Sequence, residues 1–313
     1  SVIEGGTTSG GNLFHSFREF SVPTGGEAFF NNRGDIQNIF SRVTGGSISN
    51  IDGWIRANGT ANLFLLNPNG IIFGSNARLN IGGSFLASTA STFKFTDGTE
   101  FGVTNSNASP LLTISVPVGL QYGKNAGNIQ VQGSLLRVPN GNTLALIGGS
   151  VRLDGGTLQA PGGQVELGGV AELGTVGLNL EGGNLRLSFP EEVQRADVSL
   201  TNQARVNVSA GVSGNIALNA HNIEIKQSSL KSGESFLVTR AGNITLNATG
   251  EIFLTTAELQ ALGGLGEINI RASAISSTGS ALSVSDFGGT AGDISIQANN
   301  SVSLAGSLVV SVA

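Results

Sequence analysis

"GNIALNA" at residues 214–220 returns as "GNITLNA" at 242–248, "GEINIRA" at 266–272 and "GDISIQA" at 292–298. The central isoleucines, Ile216, Ile244, Ile268 and Ile294, stand 28, 24 and 26 residues apart. Each phrase is followed by a short apolar pair (Ile223 with Ile225, Ile252 with Leu254, Ala274 with Ile275, Val302 with Leu304) and then by a third mark at Leu230, Leu259, Leu282 and Leu308. One unit therefore reads as three short strands. Alternation along a strand sends Ile216 and Leu218 to one side and Ala217 and Asn219 to the other. A chain that turns three corners and returns above its start is a parallel β-helix, each coil about 4.8 Å above the last. The isoleucines should then pile into one interior column.

Looser copies extend the pattern upstream: "GNIQVQG" from Gly127, "GSVRLDG" from Gly149, "GQVELGG" from Gly163 and "GNLRLSF" from Gly183. An antiparallel sandwich also uses short strands and glycine turns, but has no reason to repeat a three-strand phrase. The final "GSLVVSVA" stops in mid-pattern without the polar cap that a solenoid end needs, so the native polypeptide is expected to continue beyond Ala313.

Composition agrees with many strands and tight corners. Glycine makes up 47 of 313 residues, and charged residues at 12% are about half the usual share. The net charge of −5 is spread without long runs, so a nucleic-acid partner has no electrostatic footprint. Apolar runs such as Leu63 to Leu66 are too short to span a bilayer, which excludes stable insertion through them. Cysteine is absent, which rules out disulfides and suits a chain that threads a narrow pore unfolded. The start at Ser1, with no basic or apolar leader, fits a mature product whose signal peptide has been removed.

Residues 1–120 lack the clean repeat and hold most of the aromatics; they read as an N-terminal cap and first coils, with 121–313 as regular coils of the same continuous domain. A bare first coil would expose an apolar column and a free strand edge. "NLFHSFREFSV" is the candidate lid, and Phe14, Phe17, Phe20 and Trp54 are assigned to the cap and folding nucleus. "TFKFTDGTEFGV" at 92–103 predicts a hairpin outside the coil, with Thr96, Asp97 and Gly98 as its loop, Phe93 opposite Phe101 and Lys94 opposite Glu100. "SPLLTISVPVGLQYG", with Pro110 and Pro117, is expected to lead back into the coils.

"LFLLNPNGIIFG" at 63–74 breaks the greasiest run of the chain with Asn67, Pro68, Asn69 and Gly70, the residues of a type I turn. The surrounding "NIDGWIRANGTANLFLLNPNGIIFGSNARLNIGGSFLAST" and the earlier "GGNLFHSFREFSV" closely resemble the secretion domain of filamentous-haemagglutinin-type exoproteins, the two-partner-secretion or haemagglutination-activity domain. The resemblance is strongest over residues 1–120 and implies a right-handed parallel β-helix at the N-terminus of a large secreted or surface adhesin of a Gram-negative bacterium. It implies a partner as well: an outer-membrane β-barrel transporter with periplasmic polypeptide-transport-associated domains, which takes the chain from the periplasm unfolded or nearly so. Asn67, Pro68, Asn69, Gly70 and Ile71 carry over as the transporter-recognition motif. The family's usual second motif, Asn-Pro-Asn-Leu, has no counterpart; "NNRGDIQNIF" at 31–40 stands nearest.

Parallel β-helices also house polysaccharide lyases and hydrolases. Glycoside hydrolysis normally needs two carboxyls across the scissile bond. Here Asp52, Asp154, Glu166, Asp197, Glu224 and Asp293 are scattered, and the adjacent Glu191 and Glu192 read as a solvated loop. His15 and His221, in the lid and at a corner, form no readable metal or nucleophile-base pair, and the "GGLGE" and "GGTAGD" corners lack the strand-turn-helix setting of a nucleotide loop. The reading is a monomeric non-enzyme with no cofactor, no metal and no catalytic residue. A second reading is an adhesive surface for glycans or host protein, formed by outward residues such as Thr245, Asn247, Asn269 and Arg271.

Overall fold

The computed structural model describes residues 1–103, 113–181, 184–233, 240–286 and 289–313. It is a parallel β-solenoid of about eleven turns. Each coil runs through three faces, as in Asn215–Ala220, Ile223–Lys226 and Ser229–Ser232. On the first face Ile216 pairs with Ile244, Ile244 with Ile268, and Ile268 with Ile294, so the predicted column is present. Ile216, Leu218 and Ala220 are fully buried while the intervening residues face outward.

Several marks move when the register is read. In the ninth coil a register shift between Ala272 and Ala274 carries the chain round the corner, so Ile275 and Ser277, rather than Ala274 and Ile275, stack on Ile252 and Leu254. Leu282 stacks on Val309 and not on its neighbour Leu308; two adjacent apolar residues leave the inner one undecided by type alone. "GNIQVQG" and "GSVRLDG" belong to the second face, in line with Val198 and Ile223, whereas Val165 of "GQVELGG" joins the Ile216 column. Period-2 alternation says which side chains point inward but not which face the strand occupies.

One corner recurs with a fixed backbone. Directly after the second-face strand, seven successive coils place a residue in the left-handed region: Gly133, Gly155, Asn202, Gln227, Thr256, Gly279 and Gly306. For a residue with a side chain this conformation costs roughly 1 to 2 kcal/mol. Glycine serves both ends of the series; side chains stand only at its centre.

The first face has two apolar sides. Inward lie Leu13, Ile39, Leu63 and Phe85; outward lie Phe14, Phe40, Phe64 and Leu86. Phe14 stacks on Phe40 at 5.2 Å and Phe40 on Phe64 at 4.8 Å. Covering this outer row is a five-stranded antiparallel sheet made of two excursions from the same corner of the fourth and sixth coils. The predicted hairpin is part of it: Phe93 opposes Phe101, Lys94 opposes Glu100, and Gly98 has φ +82°. Phe93 meets Phe40 edge-on at 5.2 Å. Buried Arg42 lies over the Phe101 ring and donates to the Gly102 carbonyl, tying the hairpin to the second coil.

Pro117–Tyr122 does not lead back into a coil but forms the middle strand of this sheet, and Asn184–Ser188 of "GNLRLSF" is its edge. Pro110 lies outside the described residues. Phe14 therefore belongs to the second core and not to the cap. Trp54 is 45% exposed on the third face, because strand alternation sends Ile55 inward in its place. The N-terminal end is closed by Thr7–Ser9, antiparallel to Asn12–Phe17, and by His15, Phe17, Phe20 and Phe30, which pack ring against ring at 5.2 to 6.3 Å.

Phe40→Ala should lower stability by about 3 to 5 kcal/mol in urea unfolding, and Trp54→Ala by about 0.5 kcal/mol or less. Glu166, buried beneath the Asn184–Ser188 strand, has its pKa pushed up to about 8 by desolvation, partly offset by the charge of Arg186 and the Leu187 backbone N–H. The native state thus holds a proton that the unfolded chain releases near pH 4.5. Its cost is absent below that value and complete above about 8, so the stability advantage of Glu166→Gln should grow as pH rises between them.

Candidate functional site: the Asn-Pro-Asn-Gly corner

The tetrad links the first-face strand Asn62–Leu66 to the second-face strand Ile71–Phe73, with the corner of the second coil on one side and that of the fourth on the other. Gly70 N donates to Asn67 O at 3.1 Å, closing the predicted turn. Asn67 is fully buried. Its Nδ2 donates to Ser47 O at 3.0 Å and Ser49 Oγ at 2.8 Å, while its Oδ1 accepts from the Asn69 backbone N at 3.0 Å and from Asn69 Nδ2 at 3.0 Å. Asn69 Nδ2 also donates to Gly45 O at 2.7 Å. Ile71 is fully buried and pairs with Ser49 and Ile129.

On the far side, Gly127 N donates to Pro68 O at 2.8 Å. A Cβ on Gly127 would stand 2.3 Å from the Asn69 carbonyl carbon, so only glycine lets this coil close under the turn. The motif is thus a rivet through three consecutive coils. Its amide groups are spent inside the protein, and only Pro68 and Asn69 are part-exposed.

Of the residues assigned from sequence, the five of the turn lie together, and Phe17 and Phe20 lie together at the N-terminal end, 5.2 Å apart. Phe14 and Trp54 join neither group. Sequence reading missed a polar ladder on the same coils: Asn62 Nδ2 donates to Asn38 Oδ1 at 2.9 Å, Asn38 Nδ2 to Asn12 Oδ1 at 3.0 Å, and Asn12 Nδ2 to Thr113 O at 3.0 Å. Its signal was in plain view as Asn12-Leu-Phe, Asn38-Ile-Phe and Asn62-Leu-Phe, 26 and 24 residues apart. Among the described residues no group of three His, Cys, Asp or Glu stands ready to hold a metal. His221 Nδ1 lies 3.1 Å from Thr249 Oγ1, and Glu191 and Glu192 are exposed.

The chain is thus a capped all-β solenoid domain, carrying an extra-helical sheet and riveted by a buried Asn-Pro-Asn-Gly corner. The sequence profile of the TPS secretion domain matches residues 1–218, and the chain belongs to that family. Among solved structures it is similar to the HMW1 secretion domain from Haemophilus influenzae, at 19% identity and TM-score 0.53 over 97% of this chain and 94% of that one. The filamentous hemagglutinin secretion domain aligns at 16% identity and TM-score 0.46 over 98% and 92%. No curated protein sequence matches.

Asn67→Ala would orphan the Ser47 carbonyl and the Asn69 N–H. Both groups are part-buried while the Ser49 hydroxyl, which also loses its partner, is buried, so urea unfolding should show a loss of about 1 to 3 kcal/mol.

Proposed function

We propose that this chain is the N-terminal secretion domain of a large exoprotein or adhesin, taken through the periplasm to its outer-membrane transporter as an unfolded monomer and folded at the cell surface. Membership of the TPS secretion-domain family supports the secretion role and the existence of a cognate transporter. One observation supports recognition before folding: Asn67 is fully buried, with both ends of its amide bonded internally. A partner that reads this residue must meet it in the extended chain, for example as a strand added to a sheet edge. The aromatic N-terminal end supports nucleation outside the cell, because a coil gains its contacts only from a neighbour already in place.

The test is export of the domain with and without a co-expressed cognate barrel, run on Asn69→Ala. That variant loses bonds at a part-exposed site, so refolding should stay near normal while export falls. Parallel loss of both would reduce the motif to a structural corner. Phe17→Asp combined with Phe20→Asp should slow refolding and export together; normal export by that variant would end the nucleation reading.

A further inference from the structure

The sequence holds three Asn-Gly pairs: Asn58–Gly59, Asn69–Gly70 and Asn140–Gly141. Such a pair can react with itself. The glycine nitrogen attacks the asparagine Cγ and a C–N bond forms, while the side-chain Nδ2 leaves as ammonia, taking up the proton of the glycine nitrogen. Water then opens the cyclic imide, giving aspartate where it attacks Cγ and isoaspartate where it attacks the main-chain carbonyl. Glycine, having no Cβ, leaves the attacking nitrogen unhindered. In a folded protein the nitrogen and the amide must both be released before the ring can close.

The fold holds each pair differently. At Asn58 the amide is tied, its Nδ2 donating to Asn31 Oδ1 at 3.0 Å and to Asn32 O at 3.1 Å, while no hydrogen bond to the described residues holds the Gly59 nitrogen. At Asn140 the reverse is found: Gly141 N donates to Pro161 O at 2.9 Å, and the exposed side-chain amide makes no hydrogen bond to the described residues. Of the three, only the corner engages both reacting groups. Gly70 N donates to Asn67 O at 3.1 Å, and Asn69 Nδ2 donates to Gly45 O at 2.7 Å and to Asn67 Oδ1 at 3.0 Å. Ring closure there must break the turn and its bond to the second coil in one opening event.

Neither product fits the corner. An ionised carboxylate is an acceptor only, so aspartate at this position sets an oxygen against Gly45 O and Asn67 Oδ1, which the Asn69 amide now satisfies. Isoaspartate lengthens the backbone by a methylene between Asn67 O and Gly70 N, inside the turn that leads to Ile71 and its pairing with Ser49 and Ile129. Truncation to alanine removes bonds without adding this repulsion or this length. We propose that Asn69–Gly70 is a spontaneous deamidation site of the unfolded chain which the folded corner closes, so that a chain left unfolded loses the residue that rivets its coils. The bearing on export rests on the proposed unfolded passage, whereas the reaction needs only the chain and water.

The folded domain and the same domain in urea would be held in mildly alkaline buffer, and their proteolytic peptides followed by tandem mass spectrometry that separates asparagine, aspartate and isoaspartate at each position. In urea all three pairs should convert at comparable rates. Without urea, conversion at Asn69 should slow by roughly tenfold more than at Asn58 or Asn140. The urea-held chain would then be diluted to refold, and its folded and unfolded fractions mapped. Chains converted at position 69 should collect in the fraction that fails to fold, while chains converted only at Asn140 should divide as unreacted chains do. Absence of conversion at Asn69 in urea, equal protection at Asn69 and Asn140, or an even division of the position-69 products between the two fractions overturns the proposal.

Discussion

Every coil of this protein is held by the in-register stacking of its inward side chains on the coil before it. Burying one Leu or Ile contributes roughly 1.5 to 3 kcal/mol, against roughly 1 to 2 kcal/mol for ordering each residue of backbone. A lone coil, with two or three inward residues per face, cannot offset that cost. Stacked on a neighbour, its residues are buried from above and below. The N-terminal end therefore needs its own device. An antiparallel strand, Thr7–Ser9, covers the edge of the first coil, and four packed rings close the interior beside it.

The first coils differ from the rest because their first face is apolar on both sides. The outward ladder of Phe14, Phe40 and Phe64 would be an exposed stripe in a plain solenoid; here it is the floor of a second core. Both excursions leave from one corner and pair with each other through Pro117–Tyr122 and Gly174–Glu181, so the covering sheet is stitched from segments about fifty residues apart. Arg42 on Phe101 and Glu166 beneath the last strand are two of the polar groups buried at that junction, with Ser88 bonded to Tyr122 and Thr143 bonded to the Leu185 backbone.

The Asn-Pro-Asn-Gly corner is held from both sides in the folded protein. In the folded protein Asn67 bonds across to the second coil, and Pro68 O accepts from the fourth, so the motif cannot be presented whole to a partner. In the extended chain the same residues interrupt the longest apolar run and stand out.

The three-strand unit, the Ile216 to Ile294 column, the hairpin pairing of Phe93 with Phe101 and the turn at Asn67 were all legible in the residues, because each is set by local alternation, spacing or turn chemistry. The asparagine and phenylalanine ladders were legible too, in the repeated Asn-Leu-Phe phrase, although their period is easily hidden behind the aromatic count. The face on which each strand lies, the union of two distant excursions into one sheet, and the removal of Phe14 and Trp54 from the cap were decided only in three dimensions. A strand's alternation names its two sides, but what lies against each side depends on neighbours that come from other coils and from segments distant along the chain.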